Sequence, residues 1–251
     1  MQILSLDTTT PAGSAALVID GRVIDERCSD KTRSPAERLP RELIELAGAH
    51  GTSLAAIDLF AVASGPGSFT GLRVGIATIQ GAARVHDRKV VAVSALDALA
   101  HAAAVEAGPS ATVGAWMNAH RGEVFTALYE VTSAPALEPE RLREIESATV
   151  GAPPEVIRRW ADAGRQPTVI IGDGAAMYAE MIHCGFSQTA VRPGPVLAGV
   201  IGRLAYVRAS RGEAIGPAAI QPVYVRRPDA ELDRERKRAG EGQPTGGGRR
   251  P

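Results

Sequence analysis

The residues best placed to do chemistry sit in three turns. Gly65-Pro66-Gly67-Ser68-Phe69-Thr70-Gly71-Leu72-Arg73-Val74-Gly75 follows a buried-strand pattern and opens a helical one. Such a turn could cradle phosphate, because free N–H groups at a helix N-terminus attract anions. The P-loop pattern ends in Gly-Lys-Ser/Thr, however, and no lysine lies between Lys31 and Lys89. The dinucleotide pattern GxGxxG aligns Gly65 and Gly67, then meets Thr70, with the third glycine one residue late at Gly71. The structural reading is preferred: glycines permit a tight turn, and Ser68 or Thr70 caps the helix. Asp7-Thr8-Thr9-Thr10 closes a strand ahead of a hairpin, where Asp7 could hold a hydrated metal beside a phosphate. Asp and Thr are also ordinary turn residues there. Gly172-Asp173-Gly174 ends a buried strand before a helix, a place for a ligand crevice or for a simple capping turn.

Assembled catalytic sets are not in view. His50, His86, His101, His120 and His183 are separated by 36, 15, 19 and 63 residues, so no HxxxH or HExxH pair forms. Ser68 has the wrong spacing for a GxSxG nucleophile elbow. Cys28 and Cys184 have no local histidine and no CxxC context, which suits a reducing compartment. The expectation is no catalytic residue, no metal site and no cofactor. Asn118-Ala119-His120-Arg121-Gly122-Glu123 reads as a polar turn whose Arg121 and Glu123 pair on the surface or meet a partner. Pro222-Val223-Tyr224-Val225-Arg226 reads as an extended segment lying on the core.

Lys+Arg and Asp+Glu are both 28, and a formal net charge of zero argues against autonomous tight RNA binding, which needs a basic excess. Aromatics make up only 4%, so the core must be aliphatic. The first residues enter a strand pattern without a leader-like apolar stretch, and no run approaches the roughly 20 apolar residues of a spanning helix. These features lead us to expect a cytoplasmic protein away from membranes.

The elements that must position these turns follow a repeated order. Strands are expected at Ile3–Leu6, Ala15–Ile19 and Val23–Arg27, with Asp20-Gly21 as a hairpin turn. A helix starts at Pro35 with Ser34 as N-cap, carries the stripe Leu39, Leu43, Leu46 and His50, and stops at Gly51. A buried strand at Leu59–Ala63 leads to a helix over Leu72–Val85, striped by Leu72, Ile76, Ile79 and Ala83. Lys89–Val93 and the helix Ala95–Ala107 complete a βββαβαβα half over residues 1–107. In the second half, 108–227, strands are expected at Thr112–Met117, Glu123–Glu130 and Thr168–Ile171. Helices are expected at Pro153–Ala163, Ala175–His183 and Pro195–Arg211, with 133–151 unassigned. The charged tail 228–251 is too polar to order. For either stripe alone, covering the sheet is the simpler role. Glycine costs about 1 kcal/mol in a helix interior, though, so Gly71, Gly75 and Gly81 in one helix point to a close-packed docking surface.

DTTT at 7–10, SGPGSFTGLRVGIATIQG at 64–81, VSALDAL at 93–99, HRGEVF at 120–125, IGDGA at 171–175 and PVYVRR at 222–227 together resemble the TsaB (YeaZ) family. The resemblance implies an α/β, duplicated actin-like and Hsp70-like (ASKHA) fold, whose two lobes each hold a mixed sheet covered by helices. In that fold Asp7, Thr8, Thr9, Gly172, Asp173 and Gly174 mark a vestigial nucleotide cleft. It implies a non-catalytic scaffold paired with a TsaD-like paralogue, which carries the metal-binding histidines and transfers threonylcarbamoyl to the tRNA adenosine beside the anticodon. A TsaE-like ATPase completes the complex, tRNA is met only through it, and the lone chain has homodimerisation as an option. Pairing falls on the first two helices, here around Leu39–Leu46 and Leu72–Ala83. Two departures concern surface detail: the chain has Asn118-Ala119-His120-Arg121 where the family often has Asp-Ala-Arg, and it lacks a histidine near Ser34-Pro35. The competing reading is an ATP-using small-molecule kinase of the same fold.

Overall fold

The computed structural model describes residues 1–10, 13–29 and 35–226; the expected Ser34 cap and the 228–251 tail lie outside them. The first sheet comprises β1 (Gln2–Asp7), β2 (Ser14–Ile19), β3 (Arg22–Cys28), β4 (Leu59–Gly65) and β5 (Lys89–Ser94), in the order β3-β2-β1-β4-β5. Three helices accompany it: α1 (Pro35–Ala49), α2 (Phe69–Val85) and α3 (Ala95–Ala104). The second sheet comprises β6 (Thr112–Asn118), β7 (Val124–Val131), β8 (Leu142–Gly151), β9 (Val169–Ile171) and β10 (Ala190–Arg192). Its helices are α4 (Pro153–Asp162), α5 (Asp173–Met177), α6 (Ala179–Gly185) and α7 (Ala198–Ser210). Its order, β10-β9-β6-β7-β8, is the same arrangement read from the other edge. In each sheet the first three strands pair antiparallel in sequence; the fourth pairs parallel with the first, and the fifth pairs parallel with the fourth. One topology used twice is the duplicated actin-like fold that the resemblance implies.

Local chemistry sets the turns. Asp20 and Gly21 both have positive φ, 48° and 76°, as a tight hairpin of matching twist requires. The last helix of each half crosses over: α3 packs on β6, and α7 lies on β1 and β2. The core between the sheets therefore joins Ile3, Ala61 and Val91 to Val113, Ala127 and Val169 through α3 and α7. Leu39, Leu43, Leu46, Ile76 and Ile79 form a second core under α1 and α2. A third lies under α4–α6, where the Trp116 and Trp160 rings meet edge-on at 5.8 Å. Among the described residues, no helix is long and apolar enough to cross a membrane.

Three expectations need correction. Pro195 does not start the last helix, which begins at Ala198 because its first turn is held by distant partners. The Ala198 N–H donates to Ser14 Oγ at 3.2 Å, and the Gly199 N–H donates to Glu26 Oε1 at 2.6 Å. The expected helix Ala175–His183 is two short helices broken at Tyr178. The unassigned 133–151 segment contains β8, an edge strand whose Glu146 accepts from Trp160 Nε1 at 2.9 Å and is flanked by Arg159 and Arg165. Burial pushes the Glu146 carboxyl up, but those donors more than offset it and hold it below the usual range.

His101 sits on α3 in the core between the sheets, 3% exposed. Tyr129 Oη donates to Asp97 Oδ1 at 2.7 Å, and Arg208 lies 3.6 Å from the same carboxylate. Burial lowers the His101 pKa from 6.5 to about 4, with Arg208 and Arg141 pushing the same way against Asp97. Between those values the unfolded chain binds the proton and the folded chain does not, so stability is full above pH 6.5 and falls as pH drops toward 4. The expected loss is about 3 kcal/mol. Urea unfolding as a function of pH checks it: His101→Leu removes that component of the acid dependence, and unchanged dependence contradicts the assignment.

Candidate functional site

The glycine-rich turn is built around Thr8 and Thr9. Ser68 caps α2, its Oγ accepting from the Gly71 N–H at 3.2 Å, while the Ser68 N–H donates to the Thr9 carbonyl at 2.9 Å. A Cβ at Gly67 would stand 2.5 Å from Thr9 Cβ, at Gly71 2.2 Å from the Thr8 carbonyl oxygen, and at Gly75 2.1 Å from Thr8 Oγ1. These glycines let α2 settle on the end of β1. This corrects their expected role: Gly71 and Gly75 are consumed by an internal contact, and of the three helix glycines only Gly81 has open space around it.

Three separated motifs converge above this turn. The Val223 N–H donates to the Ser64 carbonyl at 2.7 Å, laying the 221–226 strap across the turn; a Cβ at Gly65 would stand 2.7 Å from the Val223 oxygen. The Phe69 and Tyr224 rings lie 5.2 Å apart. The Arg73 guanidinium sits 3.9 Å over Phe69, and its Nε donates to Tyr224 Oη at 2.8 Å. At the far end Arg226 donates to the Ala119 carbonyl at 2.8 Å, pairs with Glu123 and lies 5.6 Å over the Phe125 ring. The 118–122 turn between them carries His120 and Arg121 at φ 57° and 56°, left-handed conformations that cost non-glycine residues about 1–2 kcal/mol each. Asn118 Oδ1 accepts from the His120 N–H at 2.8 Å and holds that turn. Together they enclose a cavity of about 470 Å³. Sequence reading missed this convergence; its one signal was that Phe69, Phe125 and Tyr224, in a chain poor in aromatics, each lie inside a quoted motif.

The two acidic turns meet elsewhere. Asp7 and Asp173 line one cleft of about 370 Å³, together with Leu99, Met117, Val196 and Leu197. Asp7 is buried and accepts from the Thr9 N–H at 2.9 Å and Thr9 Oγ1 at 2.7 Å. Burial pushes its carboxyl up, against the pull of the Thr9 donors. Asp173 Oδ1 accepts from the Asn118 N–H at 3.0 Å and the Gly174 N–H at 2.9 Å. Thr8 Oγ1 is buried without a hydrogen-bond partner. Among the described residues, no three His, Cys, Asp or Glu side chains gather as metal ligands.

Leu39, Leu43, Leu46, Leu72, Ile76, Ile79 and Ala83 are all at most 4% exposed. A docking partner cannot reach these side chains; they seat α1 and α2 on their own sheet. The outward faces carry other residues: Arg41, Ile44, Glu45 and Gly48 on α1, and Arg73, Ala77, Gly81 and Val85 on α2.

The family model for TsaD, tRNA N6-adenosine threonylcarbamoyltransferase, matches residues 29–194. The tRNA threonylcarbamoyladenosine biosynthesis protein TsaB of Escherichia coli K12 is 32% identical, covering 70% of this chain and 81% of its own. Its Haemophilus influenzae namesake is 30% identical over 90% of this chain and 94% of its own. The YeaZ structure from Pseudomonas aeruginosa superposes with a TM-score of 0.69 at 31% identity, covering 89% of this chain and 99% of that one. With the duplicated topology and the GPGSFTGLRVG turn in place, the chain belongs to the TsaB (YeaZ) family.

Proposed function

We propose that this chain serves tRNA threonylcarbamoyladenosine biosynthesis in the cytoplasm as a scaffold that does not itself transfer the threonylcarbamoyl group. It pairs with a TsaD-like paralogue, a TsaE-like ATPase joins the pair, and tRNA is met within that complex. The observation that carries the reading is the outer surface of two adjacent helices. Ile44 is 57% exposed and Val85 78%, and the stripe Ala77, Gly81 and Val85 repeats every four residues on α2. Exposed aliphatic groups beside small residues allow close helix approach and gain by being covered. Their partner must be a complementary helical face.

Mass in solution tests it, using this chain mixed with the TsaD-like paralogue of the same organism. Wild type forms a heterodimer; Ile44→Glu and Ala77→Glu, both on exposed positions, stay folded and weaken it at least about tenfold. A wild-type mixture running as separate species contradicts the reading. Ile76→Glu is no substitute, because burying a charge at a site 4% exposed unfolds the chain itself.

The second reading, a nucleotide in the cleft, is favoured by Asp7 and Asp173 sharing its walls. Both carboxylates already hold their own turns, so millimolar Mg-ATP is expected to leave the melting temperature unchanged. A rise of several degrees would bring the kinase-like reading forward.

A further inference from the structure

The outward face of α2 carries an arginine at each end of its small-residue stretch. Arg84 follows Arg73 by 11 residues, close to three full turns, so both stand on the same side of the helix. Ala77 and Gly81 lie between them, and the two arginines are about 16 Å apart along the axis. Both are exposed, and neither pairs with a carboxylate among the described residues. On the neighbouring α1 face, by contrast, Arg41 Nε already donates to Glu45 Oε1 at 2.6 Å.

Arg73 is also oriented. Its Nε donates to Tyr224 Oη at 2.8 Å, and its guanidinium lies 3.9 Å from the centre of the Phe69 ring. The strap and the first turn of α2 thus hold the group, while its two Nη atoms bond to nothing among the described residues. Those atoms form a fork matched to a carboxylate, and a fork held in advance loses less freedom on pairing. One arginine in a last helical turn, as Arg84 is, does no more than complement the helix dipole. Two on one face, at either end of a stretch that admits close approach, suit a ligand with two acids. A helix covering Ala77 and Gly81 runs out over Arg73 at one end and Arg84 at the other. A covered guanidinium left unpaired opposes docking, so the face selects for a partner with acids at matching positions.

We propose that the α2 face reads an acidic partner helix whose two carboxylates stand about three turns apart, one on the Arg73 fork and the other on Arg84. This assignment rests on pairing through α1 and α2 and adds the chemistry by which the paralogue is recognised.

Calorimetry of the full chain with the TsaD-like paralogue of the same organism tests it, with the melting temperature of each variant showing that it is folded. Arg73→Ala and Arg84→Ala are each expected to weaken pairing about tenfold, and Arg73→Lys nearly as much as Arg73→Ala, because lysine lacks the fork. Tyr224→Phe, which releases the Arg73 Nε, weakens pairing about threefold and has no effect when added to Arg73→Ala. Replacing each Asp and Glu of the paralogue's docking helix by Ala then identifies the acids. One position couples to Arg73 and another, about three turns away, to Arg84, each by at least about fivefold. The inference is overturned, and the docking reading kept, if both arginine variants pair as wild type does while Ile44→Glu still breaks the pair. It is overturned too if no acidic position couples to either arginine. Tighter pairing on removal of residues 228–251, with the Arg73→Ala effect gone, would make this chain's own tail carboxylates the occupant and end the proposal. Normal pairing of the arginine variants with weaker tRNA binding by the assembled complex would make phosphate the occupant, with the same consequence. A wild-type chain that does not pair removes the docking reading and this inference together.

Discussion

Gly172→Ala is expected to lower the stability of the chain by about 4 kcal/mol. Gly172 lies at the end of β9 with φ 132°, a conformation that side-chain-bearing residues rarely adopt. An added Cβ would stand 1.9 Å from the Trp116 carbonyl oxygen. That oxygen cannot retreat. Trp116 lies in β6, hydrogen-bonded between β7 and β9, and its ring is fully buried against Trp160. Backbone strain of about 1–3 kcal/mol therefore adds to an overpacking term of similar size. For a chain of this length the melting temperature should fall by roughly 10 °C. Gly164→Ala is the control, since φ is 66° but nothing stands within 4 Å. It should cost about 1 kcal/mol. Chemical unfolding of both variants checks the pair; equal losses contradict the clash at Trp116.

The second large effect separates two neighbouring glycines. Alanine normally stabilises a helix interior by about 1 kcal/mol over glycine, so an exposed site would gain from either change. Gly71→Ala and Gly75→Ala should instead destabilise by about 2–3 kcal/mol each, because their new methyls meet Thr8. The contacts differ in kind. At Gly75 the clash is with the Thr8 side chain, Oγ1 at 2.1 Å; at Gly71 it is with the Thr8 carbonyl oxygen at 2.2 Å. Thr8→Ala therefore restores much of the loss in Gly75→Ala, leaving Cβ against Cβ at 3.1 Å, and restores nothing in Gly71→Ala. A double-mutant cycle by urea unfolding should show coupling above about 1 kcal/mol for the first pair and near zero for the second. Equal coupling would mean that α2 does not rest on Thr8 in this way.

These glycines also show how far the residues alone could lead. Their helix, its Ser68 cap and its buried stripe follow from apolar spacing and from a hydroxyl ahead of the first turn, both local signals. The identity of what they pack against is not local. Thr8 lies more than sixty residues earlier, and nothing in Gly71-x-x-x-Gly75 says whether a threonine or a foreign helix fills the space. The seven stripe residues on α1 and α2 were misplaced at the interface for the same reason: periodicity finds the apolar face but not what covers it. β8 escaped because LREIESATVG mixes charges into an edge strand whose glutamate is bound by Trp160, a partner on the following helix. The start of α7 is set by Ser14 and Glu26, far back in the chain. The cavity of Phe69, Arg121 and Tyr224 was legible only as three separate motifs, since their meeting depends on how the strap returns over the first lobe.

Reconstituted tRNA modification separates a scaffold from a transferase. Purified TsaD-like paralogue, TsaE-like ATPase, threonylcarbamoyl donor and tRNA would be assayed for modified adenosine with this chain, without it, and with Ile44→Glu or Ala77→Glu. Modification is expected with wild type, little without the chain, a drop of at least about tenfold with either variant, and none from this chain alone. Full modification in its absence, or modification by this chain without the paralogue, would contradict the scaffold reading.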